Sequence, residues 1–283
     1  MRVAVIGSSG GMGRYFVEYF LSHGHEVTGS DIRETPISDV RFRRAASNRE
    51  AVERAEVVLV ATPIGSTVET VRGIAPRIGR GVRVIEISSV KGGILRELRP
   101  ILRKRGAALI SIHPLFGPSL PPSAEMKICV IGTGRRSVEF AKGLFPEARL
   151  IPIKEREHDR AMGVILSLTH LVNIAYAATV ARHMTPGQFR RLESPTSAVQ
   201  LSIAEGVLAQ SPALYSYIQL ENEHSAQYAG ELIENLAQLR RIIARKDRKA
   251  FESLFSGLSK FYADDSRTAL ESIYKAFEAK QKR

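Results

Sequence analysis

The sequence contains a single cysteine, Cys129, among its 283 residues. A lone cysteine cannot form an internal disulfide, and it provides no CxxC spacing for zinc or redox chemistry. The HExxH pattern of metalloproteases and the DxDxDG pattern of calcium loops are also missing. We therefore expect no metal centre, and we expect a reducing, cytoplasmic location.

Charged residues are absent from one stretch, 161–181, which is long enough to cross a bilayer. Within it Ser167, His170 and Asn173 recur at three-residue spacing, so a helix would carry a polar stripe along one face. Because such a stripe is costly in lipid, we expect a buried central helix of a soluble domain and no membrane span. The first predicted strand begins near Arg2, so we also expect no signal peptide.

Acidic residues are fewer than basic ones: 29 Asp and Glu stand against 41 Lys and Arg, which gives a formal charge of +12. The basic clusters are spread along the chain, lack interleaved aromatic residues and match no nucleic-acid-binding module. We interpret them as solvated helix faces and expect no specific nucleic-acid partner. A surface of this charge would still concentrate anionic small molecules.

The first half of the chain alternates short apolar runs with amphipathic segments. This alternation predicts strands joined by helical crossovers, and therefore an α/β fold with a mostly parallel, doubly wound sheet of the Rossmann type. A helix is predicted over 12–23. The predicted strands are 3–6, 26–31, 57–61, 83–87, 108–112 and 128–131.

From residue 157 onward the strand signals disappear and helical periodicity dominates. Thr185, Ser194 and Ser211 each precede a proline, and a capping hydroxyl before a proline is typical of a helix start. A last helix is predicted after Asp247. The sequence thus predicts a Rossmann-type domain over 1–153 and an all-helical domain over 154–283. Because the helical domain has several amphipathic stretches and few elements to cover them, we expect a homodimer.

A glycine-rich turn follows the first predicted strand and opens the first helix. Glycine at 7 permits a tight turn, glycine at 10 lets the backbone approach a pyrophosphate, and glycine at 13 allows close packing of helix on strand. The spacing G-x-x-G-x-x-G differs by one residue from the commonest fingerprint, but its place between strand and helix predicts a dinucleotide site. The residues assigned to the cofactor in this turn are Gly7, Ser9, Gly10, Gly11, Met12 and Gly13.

Two further segments are predicted to contact the cofactor. Asp31 ends the second predicted strand, where a carboxylate would bind the adenosine ribose hydroxyls and repel a 2′-phosphate, which favours NAD over NADP. Arg33 would offset that repulsion, so NADP stays possible. Thr62, Pro63 and Ile64 follow another strand at the same edge of the sheet and are expected to line the cofactor, with an ordinary proline turn as the alternative.

Reactive groups follow two other predicted strands, in segments 88–92 and 113–118. In a loop rigidified by prolines and a glycine, His113 can take the proton of a hydroxyl while hydride leaves the same carbon. Ser89 would bond that imidazole or the substrate hydroxyl, and Lys91 would bind a carboxylate or orient Ser89. His170 is either satisfied locally or faces a cleft between the domains, and His158 fits a capping role as well as a catalytic one.

These residues resemble those of the prephenate dehydrogenases, a family that includes the arogenate dehydrogenases of tyrosine biosynthesis. The similar segments follow the family's order over essentially the whole chain. The segments HPLFGP and SVK are the specific ones, since many dehydrogenases share the glycine turn. The similar segments are 10–13 (GGMG), 89–91 (SVK), 113–118 (HPLFGP), 157–159 (EHD) leading to His170, 209–215 and 249–251.

The resemblance implies the NAD-dependent oxidative decarboxylation of prephenate to 4-hydroxyphenylpyruvate. In that reaction hydride leaves the ring carbon that bears the hydroxyl, and CO2 leaves the opposite ring carbon. The resemblance further implies that His113 holds the substrate hydroxyl, that Ser89 supports this contact and that Lys91 lies close by. It also implies that His170 helps to bind the substrate and senses tyrosine as a feedback inhibitor.

One departure and several alternatives accompany the resemblance. The family arginine that grips a substrate carboxylate aligns with Ala198, so Arg190 and Arg191 are the candidate substitutes. Arogenate is the competing substrate of the same chemistry. A β-hydroxyacid-type dehydrogenase relies on a lysine in the helical domain that 161–181 does not offer. A non-catalytic NAD-binding sensor or a polyanion-binding protein would need neither His113 nor Ser89.

Overall fold

The computed structural model of the protein describes residues 1–34, 36–132, 134–263 and 266–282. The chain divides into two compact units, Met1–Met162 and Gly163–Arg283. The division falls inside a run of helix that begins at Glu155. The boundary predicted between residues 153 and 154 precedes that run and stays a prediction.

The first unit contains one eight-stranded sheet. Its strands are β1 (Arg2–Ile6), β2 (Glu26–Ser30), β3 (Phe42–Arg44), β4 (Val57–Val60), β5 (Arg83–Glu86), β6 (Ala108–Pro114), β7 (Lys127–Ile131) and β8 (Arg149–Ile153). Their order is β3-β2-β1-β4-β5-β6-β7-β8, and every neighbouring pair is parallel except β6 and β7. The predicted Rossmann-type sheet is confirmed. Its topological switch point lies between β1 and β4, where such sheets bind ligands at the carboxyl edge.

Two strands of this sheet, β3 and β8, were not predicted from the sequence. Both are edge strands, and their residues are only partly buried. An edge strand lacks the continuous apolar run of a central parallel strand, because one of its sides has no neighbour. In β8 the apolar run is also interrupted by Pro152, a residue tolerated at sheet edges.

Helices connect the strands and cover the core of the first unit. They are α1 (Gly11–Ser22), α2 (Asn48–Val52), α3 (Thr67–Ile74), α4 (Gly92–Lys104), α5 (Arg135–Leu144) and α6 (Glu155–Met162). The predicted helix over 12–23 corresponds to α1, whose Phe16 and Phe20 are fully buried against Phe145. Burial of each such ring contributes about 2–3 kcal/mol, so this contact fixes α1 on the sheet.

The second unit is entirely helical among its described residues. A π-helical turn (Gly163–Leu168) leads into α7 (Thr169–Ala181), α8 (Pro186–Leu192), α9 (Pro195–Leu208), α10 (Pro212–Glu221), α11 (Ser225–Ala244), α12 (Arg248–Phe261) and α13 (Ser266–Gln281). The predicted starts of α8, α9, α10 and α12 are confirmed, and Thr185 and Ser194 accept the capping hydrogen bonds. The prediction ended with the helix after Asp247, so α13 is an additional element.

The uncharged segment 161–181 was expected to form a buried central helix, but most of its apolar side chains are not buried. Of the residues in α7, only Asn173 is buried, and its Oδ1 accepts a 2.9 Å hydrogen bond from Gln200 of α9. Ser167 is also buried, whereas Val164 and Ile165 are exposed. The polar stripe therefore packs inward and the apolar side faces outward, because the stripe has hydrogen-bond partners in this unit.

By length and composition alone, one helix among the described residues, Glu155–Ala181, could cross a membrane. One helix of this kind is weak evidence for a membrane protein. The rest of the second unit has the same outward apolar character: the apolar side chains buried among its described residues are Ala198, Leu201, Ala204 and Ile218. Apolar faces of this extent are typical of protein–protein interfaces.

Candidate active site

The glycine turn after β1 forms a tight cradle against the end of β4. Gly7 has a positive φ of 86°, and a Cβ on it would lie 2.7 Å from the carbonyl oxygen of Ala61. A Cβ on Gly13 would lie 1.8 Å from the carbonyl oxygen of Gly7. Only glycine fits these two positions, so the turn and the start of α1 lie directly on the sheet. The backbone amides at the start of α1 are the groups that would bind a pyrophosphate.

Asp31 lies beside this turn, as the sequence predicts. Its Oδ2 accepts a 3.0 Å hydrogen bond from the backbone N–H of Ser9, and its Oδ1 accepts one of 2.9 Å from the N–H of Arg33. The guanidinium of Arg33 is exposed, with its Nε 3.9 Å from Asp31 Oδ1. A carboxylate can accept about four hydrogen bonds, so Asp31 retains acceptor capacity for ribose hydroxyls.

Thr62 supplies a test of whether the cradle fits a dinucleotide. It follows β4 next to the Gly7 turn, and its Oγ1 is buried with no hydrogen-bond partner among the described residues. A buried hydroxyl without a partner is rare, and a dinucleotide bound in the cradle would supply one. Pro63 is exposed and Ile64 is buried beside it. The cradle, the carboxylate and this hydroxyl together fit the predicted cofactor.

His113 lies within β6, paired with Cys129 of β7, and not in the loop where the sequence placed it. The strand extends to Pro114 because the antiparallel β7 continues the pairing. Its Nδ1 lies 2.9 Å from Nε2 of His158, whose Nδ1 lies 2.8 Å from Oδ1 of Asp159. These three side chains, His113, His158 and Asp159, form a buried triad at the carboxyl end of β6.

The hydrogen bonds of the triad determine which nitrogen of each ring carries the proton. Asp159 accepts hydrogen bonds from the N–H groups of Lys91 (3.1 Å) and Gly92 (2.9 Å), so its carboxylate is ionised and acts only as an acceptor. His158 therefore donates from Nδ1 and accepts at Nε2. His113 must then donate from Nδ1, which leaves its Nε2 with a free lone pair.

Electrostatics favour this protonation pattern. Burial lowers the pKa of His113 well below its ordinary value, and Lys91 and His158 add to the shift. Burial also lowers the pKa of His158. Burial by itself would raise the pKa of Asp159, but the hydrogen bonds from His158 and Gly92 outweigh it, so that pKa is lowered. Two neutral imidazoles and one carboxylate are the result.

Lys91 lies beneath the triad and does not reach the surface. Its side chain is 0% exposed, and its Nζ donates 2.7 Å hydrogen bonds to Glu86 Oε1 and to the carbonyl oxygen of Ile112. The expectation that Lys91 binds a substrate carboxylate is corrected by this geometry, because its amine is enclosed by groups of the protein. Sequence reasoning missed Glu86, although an acid five residues before the SVK lysine could have indicated a pair.

The loop that follows His113 packs against the glycine turn. A Cβ on Gly11 would lie 2.9 Å from Cγ of Pro118, and the rings of Phe116 and Tyr15 are 5.2 Å apart. The two motifs that the sequence singled out are therefore neighbours in the first unit. Ser89 is half-buried between β5 and α4, and its predicted contact with His113 or a substrate stays a prediction.

Comparison with known families agrees with these features. The family model of the prephenate dehydrogenase nucleotide-binding domain matches residues 20–127, and that of the prephenate dehydrogenase dimerization domain matches residues 154–258. The protein belongs to the prephenate dehydrogenase family. The family and the nucleotide-binding domain predicted from the sequence are confirmed at this level.

Known relatives cover nearly the whole of this dehydrogenase. The probable arogenate/prephenate dehydrogenase of Methanocaldococcus jannaschii is 26% identical in an alignment of length 278 that covers 94% of this chain and 62% of that protein. The chain thus spans less than two thirds of that relative's length. Prephenate dehydrogenase of Aquifex aeolicus, solved with hydroxyphenyl propionate and NAD+, has a TM-score of 0.77 at 21% identity and 95% and 98% coverage. Synechocystis arogenate dehydrogenase has a TM-score of 0.70 at 16% identity and 94% and 100% coverage.

The second unit of this dehydrogenase contains the remaining candidates. Nδ1 of His170 is buried with no hydrogen-bond partner among the described residues, and its ring lies 4.3 Å from that of Tyr215, edge to face. Burial lowers the pKa of His170. Arg190 forms a 2.7 Å ion pair with Glu205, and Arg191 is exposed. Ala198, where the sequence alignment lacks the family arginine, is fully buried in helix packing.

Proposed function

We propose that this protein catalyses the NAD-dependent oxidative decarboxylation of prephenate to 4-hydroxyphenylpyruvate, a step of tyrosine biosynthesis. Arogenate is the alternative substrate of the same reaction. The observation that carries the proposal is the triad, in which the hydrogen bonds of Asp159 and His158 leave Nε2 of His113 unprotonated. The hydroxyphenyl propionate and NAD+ bound to the Aquifex aeolicus relative support a phenolic product and this cofactor.

His113 is the catalytic base of the proposed reaction. Its Nε2 accepts the proton of the substrate hydroxyl as the carbon–oxygen bond gains double-bond character. NAD, when bound, supplies the hydride acceptor. The positive charge that develops on His113 is stabilised through His158 by the Asp159 carboxylate. Loss of CO2 from the opposite ring carbon leaves an aromatic ring, which makes the reaction effectively irreversible.

Asp31 gives the protein its preference for NAD. The carboxylate would bind the ribose hydroxyls of the adenosine, and its charge would repel the 2′-phosphate of NADP. Its position beside the Gly7 turn supports this role, because its two oxygens are fixed by the backbone N–H of Ser9 in that turn and by the N–H of Arg33 after β2. The exposed Arg33 would lessen the repulsion without removing it, since its guanidinium is free to turn into solvent.

Substrate carboxylates would be bound by residues of the second unit. His170 has a buried nitrogen in need of a donor or an acceptor, so it is the first candidate for the substrate and for tyrosine as an inhibitor. Arg190 is ion-paired with Glu205, so Arg191 is the better candidate to bind a substrate carboxylate. Ser89 would support the hydroxyl contact of His113. The net charge of +12 would concentrate such dianionic substrates near the protein.

The outward apolar side of the second unit would be covered by a second copy of the chain. The family model that matches this unit is a dimerization domain, and the unit buries few apolar side chains of its own among its described residues. A homodimer accounts for both facts, because it removes apolar surface from water. A dimer of this kind also accounts for the uncharged segment without a membrane, and it agrees with a cytoplasmic enzyme.

The test is turnover of the purified protein with prephenate and with arogenate, each in the presence of NAD and of NADP. Reduced nicotinamide is followed by absorbance, and the product is identified by mass spectrometry as the decarboxylated phenol. Turnover of prephenate with NAD supports the proposal. Turnover of arogenate alone retains the chemistry and changes the substrate. If none of the four combinations reacts although NAD binds, the proposed reaction is wrong.

A further inference from the structure

The side chain of Lys91 is unusual because it is a charged group with no access to solvent. Its partner Glu86 is equally enclosed, and both side chains are 0% exposed. A buried ion pair adds little to stability, because the cost of removing both charges from water offsets their attraction. The pair therefore calls for an explanation other than stability, and its contacts with the triad offer one.

Lys91 bonds one end of the triad directly and bonds the residue next to the other end. Its Nζ donates to the carbonyl oxygen of Ile112, the residue directly before His113. Its backbone N–H donates to Asp159, as does the next N–H, that of Gly92 at the start of α4. One residue thus holds the strand that bears the base and the carboxylate that ends the triad.

Glu86 fixes the direction of the Lys91 side chain. Its Oε1 accepts hydrogen bonds from Lys91 Nζ and from the hydroxyl of Ser111, and its Oε2 accepts a 2.9 Å bond from the N–H of Ser88. These donors come from the β5–α4 segment and from β6. The carboxylate is therefore anchored on two neighbouring strands and cannot follow Lys91 if that residue moves.

We propose that Lys91, oriented by Glu86, is a positioning residue that fixes His113 and Asp159 relative to each other, so that His158 can bridge them. The inference rests on the proposed function only for the choice of reaction to be measured. In this inference Lys91 positions His113 and does not bind a substrate carboxylate. The groups that face His113 are Lys91 and His158, with Glu86 and Asp159 behind them.

The test compares Lys91→Met with Glu86→Gln/Lys91→Met. The single variant keeps the backbone N–H and most of the length of the side chain but leaves Glu86 buried without its cation. The double variant removes both charges, and the amide still accepts the Ser88 bond, so it retains the fold if the single variant does not. Glu193→Gln/Lys280→Met is the matched control, because that ion pair lies in the second unit and is partly shielded from solvent.

The first readout is the tautomer of His113, measured by NMR of protein with 15N-labelled histidine, and it needs no substrate. We expect wild type and control to show protonated Nδ1 and bare Nε2, and both Lys91 variants to show mixed tautomers. The second readout is turnover of prephenate with NAD. We expect kcat to fall by about 10- to 100-fold with KM and NAD affinity unchanged, since a base misplaced by about 1 Å costs this much.

The outcomes separate this inference from the proposed function. If the double variant folds and keeps both the tautomer of His113 and the wild-type kcat, the pair is structural and the inference is wrong. If wild type turns over no substrate, the proposed function fails, while the tautomer measurement still decides the role of Lys91. An acid limb of the kcat/KM profile that moves to higher pH in Lys91→Met also supports the inference, because the nearby positive charge is lost.

Discussion

Replacing Asp159 with asparagine exchanges one carboxylate oxygen for an NH2 group. We expect this exchange to move the proton of each imidazole in the triad to its other ring nitrogen. The carboxylate accepts from Gly92 at Oδ2 and from His158 at Oδ1, with Lys91 N–H between them. An amide has one acceptor oxygen. We expect it to face the two backbone N–H groups at the start of α4, because two donors are satisfied there instead of one. The NH2 group then faces Nδ1 of His158.

The amide changes the tautomer of both His158 and His113. With a donor against Nδ1, His158 must hold its proton on Nε2, and His113 must accept at Nδ1. The proton of His113 then lies on Nε2, where the substrate hydroxyl needs an acceptor. Returning to the productive pattern turns the amide round and leaves the backbone N–H groups of Lys91 and Gly92 without an acceptor, at a cost of about 1–3 kcal/mol for each buried donor. The total of about 2–6 kcal/mol predicts a loss of kcat of about 30- to 10⁴-fold.

The assay is steady-state formation of reduced nicotinamide from prephenate and NAD, with NAD affinity measured separately by calorimetry. Asp247→Asn is the matched control, since Asp247 caps α12 through a 3.0 Å bond from the N–H of Ala250, far along the sequence from the triad. We expect wild-type kcat for the control and unchanged NAD affinity for both variants. Wild-type turnover of a folded Asp159→Asn variant would refute the assigned proton pattern.

Four further predictions follow from the same structure. His113→Asn should lower turnover by about 10²- to 10⁴-fold with NAD affinity nearly unchanged, and His183→Asn on the surface should change neither; equal losses in both variants would contradict the role of His113. Stability in urea should fall as the pH drops below about 6.5, because burial lowers the folded pKa of His113 and His158 while the unfolded chain protonates at its ordinary value; a midpoint independent of pH between 7 and 5 would contradict this. Asp31→Asn should raise kcat/KM with NADP about tenfold by removing a like charge, and an unchanged cofactor ratio would remove Asp31 from the site. Ile165→Glu should shift the protein toward monomer in sedimentation, whereas Val40→Glu in the first unit should not; a dimer unaffected by Ile165→Glu would place the interface elsewhere.

Local patterns in the sequence determined the architecture. Apolar runs bounded by turn residues predicted the central strands, because such strands are buried on both faces. The prolines after Thr185, Ser194 and Ser211 predicted three helix starts, because capping depends on residues next to each other. The glycine turn could also be predicted, since positions 7 and 13 exclude any side chain. The edge strands and α13 were missed, because their stability comes from neighbours that periodicity does not reveal.

The triad was decided by the tertiary structure. His113 and Asp159 are far apart in the sequence, and only the pairing of β6 with β7 and the packing of α6 near α4 bring them together with Lys91. The sequence indicated the residue types of the site, because chemistry limits which side chains can take a proton. It left Lys91 either to bind a carboxylate or to orient Ser89, because the burial of its side chain cannot be seen in a motif. The outward apolar side of 161–181 has the same cause, since which face of a helix is covered depends on what packs against it.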